Sequence, residues 1–102
     1  MYDMENVKRL KKIGEAAPSA WEAFKQFDAA ALAEGAIPKK YKELIALAVA
    51  MTTQCPYCLE IHRKQALAAG ATEAELAETV FIAAALRAGA AVTHGTHVAG
   101  IE

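Results

Sequence analysis

An all-α chain of about five helices is the fold class this sequence predicts, and three observations carry it. Alanine fills 25 of the 102 positions while β-branched and aromatic residues are sparse, a balance that favours helices. The only prolines, Pro18, Pro38 and Pro56, each stand where a helix would start, in a first turn whose N–H groups are unpaired anyway. No segment alternates apolar and polar residues as a strand would.

A chain of this length closes one compact domain, taken here as residues 1–102, yet it is small enough that association of copies would help bury its apolar surface. The net charge is −1 and the pI near 6.3. The eleven lysines and arginines are dispersed apart from Lys11-Lys12 and Lys39-Lys40, so no basic stripe points to nucleic acid. The opening MYDMENVKRLKK lacks the apolar core of a signal peptide, and the apolar runs fall short of the roughly 20 residues that span a bilayer. A cytoplasmic protein without a membrane partner is the expectation.

Residues 2–13 set Val7, Leu10 and Ile13 among charges, a weak amphipathic helix with no visible chemistry. Pro18 opens a second helix whose stripe of Trp21, Phe24, Phe27, Ala31 and Leu32 runs to Gly35. That stripe reads as core, with Trp21 a lesser candidate for a substrate pocket. Pro38 starts the third helix, apolar at every position from Leu44 to Met51 and therefore expected to be central. Glu43 sits at the edge of that run with Ala46, Leu47, Ala50 and Gln54 along its face. It is either a helix-start carboxylate in the solvated KKYKE turn or a buried group that a second helix can approach closely.

The sequence Thr52-Thr53-Gln54-Cys55-Pro56 breaks the backbone, and a fourth helix starts with Pro56 in its first turn and ends near Gly70. Cys55 is thereby placed at or near an N-cap, where free N–H groups and the helix dipole lower a thiol pKa. Cys58 and His62 lie three and seven residues further on, along one helix face. Thr72-Glu73-Ala74-Glu75 fits a capping box that opens the last helix, apolar from Val80 to Val92 except for Arg87. At about 13 residues that run is read as core or, preferably, as a subunit contact. Arg87 is expected to pair with a carboxylate at such an interface rather than to orient an anionic substrate. His94 and His97, in the glycine-flanked tail, are read as frayed or packed against a neighbour rather than catalytic.

Two thiols on one helical turn can cycle between dithiol and disulfide. His62 lies one turn past Cys58 as a proton carrier, and Glu43 could fix its tautomer, giving a relay from Glu43 through His62 to the thiols. Other readings stand beside this one. Cys-Pro-Tyr-Cys occurs in glutaredoxins, but there it follows a β-strand, for which this chain has no candidate. A zinc site could draw on Cys55, Cys58 and His62 with His94 or His97, though three ligands crowded onto eight helical residues fit poorly with the usual paired ligand motifs. The cysteines could also be buried and inert.

The spacing of Glu43, Cys55, Cys58 and His62 resembles that of the alkylhydroperoxidase D-like members of the carboxymuconolactone decarboxylase superfamily, with the similarity covering roughly residues 20–95. The resemblance implies an all-helical fold assembled into homo-oligomers, commonly trimers or hexamers, with the active site near subunit contacts. It implies a thiol-dependent peroxidase or disulfide oxidoreductase in which Cys55 and Cys58 form the redox pair, His62 is the relay histidine, and Glu43 is the general base or its orienter. No cofactor or metal is expected, only a small hydroperoxide or disulfide substrate and an external dithiol or thiol-protein reductant. The characterised peroxidase carries histidine just before the second cysteine. Here that position is Tyr57, whose ordinary pKa near 10 suits it poorly to proton transfer at neutral pH. The decarboxylase branch is not expected to need the cysteine pair. A non-catalytic helical or metal-binding module is the remaining alternative.

Overall fold

The computed structural model describes residues 2–100, and among them every regular element is helical. A 3-10 segment over Met4–Arg9 runs into α1 (Leu10–Ala16), followed by α2 (Pro18–Leu32), α3 (Lys39–Thr53), α4 (Pro56–Ala68), α5 (Glu73–His94) and the short α6 (Thr96–Ala99). Pro18 and Pro56 occupy first turns and Pro38 is the N-cap of α3. The N-terminal stretch starts as a 3-10 helix instead of the expected α-helix, and Asp3 caps it by accepting from the Glu5 N–H at 3.0 Å.

α3 is the spine of the fold, packed against α4 and α5. Its buried face is Glu43, Leu47 and Ala50, and α4 answers with Ala66, which is fully buried. Leu44, Met51, Leu59 and Leu76 close around this small core. Alanines at the contact bring two backbones together, as the sequence pattern anticipates. The opposite face of α3 is open, with Ile45 and Val49 exposed, so the helix is central on one side only.

Polar ties set the angles between these helices. The α2 carbonyls left without helical partners are capped by lysines of α3: Lys39 Nζ donates to Leu32 O at 2.9 Å, and Lys42 Nζ to Ala31 O at 3.0 Å. The capping box forms as expected, with Glu75 N–H donating to Thr72 Oγ1 at 3.1 Å and Thr72 N–H to Glu75 Oε1 at 2.9 Å. The other oxygen of Glu75 meets Lys40 at 3.0 Å, joining α5 to α3. The Thr72 N–H and then Lys40 hold the Glu75 carboxyl below the usual carboxylate range. α4 ends at Ala68, and the chain turns away through Gly70, whose φ of +97° lies in the left-handed region that glycine enters freely.

One expectation about burial is corrected. The α2 stripe is not core: no α2 residue is buried, and Phe27 is 71% exposed. Trp21 packs against Gly14, where a Cβ would come within 2.4 Å of the indole, and its ring stacks on Phe24 at 5.9 Å. α5 buries only Thr79 and Ala83, leaving Phe81 74% and Leu86 66% exposed. The reason is geometric. α2 and α5 lie at the edges of the α3–α4 pair, and among the described residues no further layer covers their outer sides. The radius of gyration is accordingly 17.1 Å, against about 13 Å for a compact domain of this size. α5 also extends beyond the apolar run read from sequence; with α6 it is long and apolar enough to cross a membrane by length and composition alone, although Glu75 and Thr79 tie its first turns to α3 and to its own backbone.

Candidate active site

The site forms where the C-terminal end of α3 turns into α4. Gln54 takes up the left-handed conformation (φ 57°, ψ 52°), and the Cys55 N–H donates to Ala50 O at 3.1 Å. A non-glycine residue in that region carries a local backbone cost. The turn delivers Cys55 to the N-cap of α4 in extended conformation, where its Sγ accepts from the Cys58 N–H at 3.2 Å. Cys55 and Cys58 are joined by a disulfide with Cα atoms 5.3 Å apart. The oxidised pair is thus held at the first turn of a helix, with the Cys58 N–H directed at the Cys55 sulfur.

Glu43 is buried on α3, 0% exposed, facing α4. His62 Nδ1 lies 2.6 Å from Glu43 Oε2, and Lys39 Nζ lies 2.7 Å from Oε1. The amide of Gln65, oriented with its nitrogen toward the carboxylate, donates to Oε1 at 2.8 Å and Oε2 at 3.2 Å. Both oxygens are therefore fully engaged, as a buried carboxylate requires. Burial pushes the Glu43 carboxyl up, but hydrogen bonds from Lys39 and His62 outweigh it and hold the group below its ordinary value. An ionised Glu43 can only accept, so Nδ1 of His62 carries the proton of this hydrogen bond, and Nε2 is the ring nitrogen left outside it. His62 is one helical turn from Cys58 on α4, a spacing that puts the two side chains on the same face.

Of the residues singled out in the sequence, Glu43, Cys55, Cys58 and His62 are gathered here. Arg87 is not: it borders an exposed groove with Met51, Thr52, Val80, Ala83 and Ala84. His94 and His97 pair edge-on, ring centres 5.5 Å apart, around the end of α5. Among the described residues no group of three or more His, Cys, Asp or Glu side chains is arranged to hold a metal ion.

Three participants were not foreseen. Lys39 stands four residues before Glu43 and Gln65 three after His62, both helical offsets that could have revealed them. The third is the N-terminal stretch, read from sequence as chemically silent. Asn6 Nδ2 donates to the Tyr57 hydroxyl at 3.0 Å across 51 residues, and the Tyr2 ring lies 5.0 Å from that of Tyr57.

With this geometry in place, comparison with known proteins identifies the fold. Residues 18–100 match the model of the carboxymuconolactone decarboxylase family. The chain belongs to that family. The recognition made on Glu43, Cys55, Cys58 and His62 is borne out at the level of the superfamily and its all-helical fold. A solved carboxymuconolactone decarboxylase family protein from Legionella pneumophila, in its apo form, superposes with a TM-score of 0.75 at 35% identity, covering 80% of this chain and 73% of that one. A solved protein from Methanobacterium thermoautotrophicum gives 0.77 at 38% identity, covering 82% and 94%. Among curated relatives, uncharacterized protein 4 in the cox locus of Paracoccus denitrificans is 42% identical over 92% of this chain and 87% of its own length. An uncharacterized protein of Cupriavidus necator is 41% identical over 69% of this chain and 62% of its own length. The family match starts at Pro18, so the 3-10 segment and α1 of this family member lie outside it.

Proposed function

We propose that this family member is a thiol-dependent peroxidase or disulfide oxidoreductase whose working groups are Cys55, Cys58, His62 and Glu43. The observation that carries the reading is the 2.6 Å contact between buried Glu43 and His62, one turn from the Cys55–Cys58 disulfide. An inert cysteine pair needs no oriented imidazole.

In the peroxidase cycle the Cys58 thiol gives its proton to His62 Nε2 and the thiolate attacks a hydroperoxide oxygen. The S–O bond forms, the O–O bond breaks, and the alcohol leaves with the proton returned by His62. Cys55, its thiolate favoured by the Cys58 N–H and the helix terminus, then attacks the sulfenic acid sulfur, forming the disulfide and releasing water. An external dithiol restores both thiols by exchange and becomes a disulfide itself. Lys39 and Gln65 keep Glu43 ionised and aimed. The lactone decarboxylase alternative would need cationic groups around a substrate carboxylate, and its candidates Arg87, His94 and His97 are not among the groups assembled around Glu43 and His62.

Homo-oligomerisation, in trimers or hexamers, belongs to the same proposal. Phe27, Phe81 and Leu86 are exposed on a chain more extended than its length requires, and burying each such side chain is worth about 1.5–3 kcal/mol. Light scattering is expected to give a mass of at least three chains in solution, and a monomer would remove this part. The activity is tested by mixing the protein with an organic hydroperoxide and dithiothreitol: alcohol production that needs both is expected, and none with any hydroperoxide or disulfide would reject the reading.

A further inference from the structure

α5 runs into α6 almost without interruption, and the junction brings two imidazoles together. Gly95 is itself helical (φ −58°, ψ −20°); its N–H donates to Ala91 O at 2.9 Å, and its carbonyl accepts from the Ala99 N–H at 2.9 Å. A Cβ at Gly95 would stand 3.0 Å from the Val92 carbonyl oxygen, so this close junction suits glycine. His94 and His97, three residues apart on a continuous helical path, therefore share one face. Their ring centres are 5.5 Å apart and their planes nearly perpendicular, at 82°. Zinc–imidazole bonds of about 2.0–2.1 Å put each ring centre about 3.2 Å from the ion, and two such rings at a tetrahedral angle about 5 Å apart. The pair already stands close to that separation. Among the described residues neither ring has a hydrogen-bond or ion-pair partner, whereas His62 is engaged by Glu43 and the two sulfurs by each other.

We propose that His94 and His97 form a two-histidine chelate for a late first-row divalent cation, zinc, nickel or copper(II), with water filling its remaining positions. Imidazole nitrogen suits these ions, whereas magnesium and calcium prefer oxygen ligands. The chelate draws on no residue of the thiol centre, so it stands or falls independently of the activity proposed above. It also has a structural consequence. α6 has only four residues, too few to hold a helix by itself, and an ion bonded to both rings ties it to the last turn of α5. Binding that occurs only when the tail is folded stabilises the folded tail.

The test uses the oxidised protein, whose sulfurs are tied up in the disulfide. It is titrated with zinc chloride in a non-coordinating buffer and followed by the ring carbon–proton NMR signals of its three histidines. The His94 and His97 signals are expected to shift together, to saturate at one ion per chain, and to stay in place with magnesium at the same concentration. His94→Ala and His97→Ala, both at exposed positions and each checked by circular dichroism, should each weaken zinc binding at least about tenfold, since a second bond from the same chain is lost. Amide hydrogen exchange at Val98 and Ala99 should slow when zinc is added. Shifts confined to His62, or an affinity that both variants leave unchanged, would overturn the proposal, and so would an equal response to magnesium.

Discussion

Cys58→Ser is expected to reduce dithiol-dependent hydroperoxide turnover by at least about 10³-fold, because it removes the thiol that takes the oxygen. Cys55→Ser should behave differently. With Cys58 intact but no partner to resolve it, the protein, reduced and then freed of dithiol, is expected to reduce one equivalent of hydroperoxide and stop as a Cys58 sulfenic acid, which dimedone traps for mass spectrometry. The asymmetry follows from position. Cys55 is the N-cap whose sulfur accepts from the Cys58 N–H, while Cys58 is one turn from His62. Dimedone adducts on Cys55 in the Cys58→Ser variant, and none on Cys58 in the other, would reverse the order of attack.

Glu43→Gln carries the second large effect, and it acts on activity and stability together. The amide keeps the volume of the carboxylate but loses its charge, so His62 is no longer held as a base by an anionic acceptor. A fall of about 10²-fold in turnover is expected, within the usual range for general acid–base catalysis. Glu43 is fully buried and Lys39 donates to it at 2.7 Å. Replacing it therefore leaves imperfectly paired donors, costing about 1–3 kcal/mol in a denaturant titration at pH 7. The pH dependence has a definite sign. The folded carboxyl lies below its ordinary value of 4.5, so the unfolded chain takes up the proton first. The stabilisation is complete above pH 4.5 and is lost as pH falls through the folded value. The stability gap between wild type and variant should accordingly be flat at neutral pH and shrink in acid; a gap that widens in acid would show that Glu43 is not held as a carboxylate.

Much of this was legible because helix starts, caps and turns are local. Pro18, Pro56 and the Thr72–Glu75 box fixed helix boundaries through chemistry within one turn, and the break at Gln54-Cys55-Pro56 placed the cysteine at the N-cap. Glu43 was undecided between solvent and core from its own surroundings; Ala50 and Ala66, by letting α3 and α4 close together, decided for the core. What was hidden depends on distant partners. Hydrophobic periodicity says that Phe27 needs cover but not which chain supplies it, so its exposure could not be foreseen. The N-terminal stretch looked silent because its contact partner, Tyr57, is 51 residues away from Asn6.

The central claim is that the Cys55–Cys58 pair, served by His62 and Glu43, exchanges two electrons with a substrate. Its most direct measurement is a single turnover: protein reduced and freed of excess dithiol is mixed with one equivalent of a long-chain alkyl hydroperoxide, and free thiols and alcohol are counted. The expected result is the loss of two thiols per chain, one alcohol formed, and recovery of the Cys55–Cys58 disulfide by peptide mapping. Both thiols persisting while the hydroperoxide is unconsumed, with an alkyl disulfide in its place giving the same outcome, would contradict it.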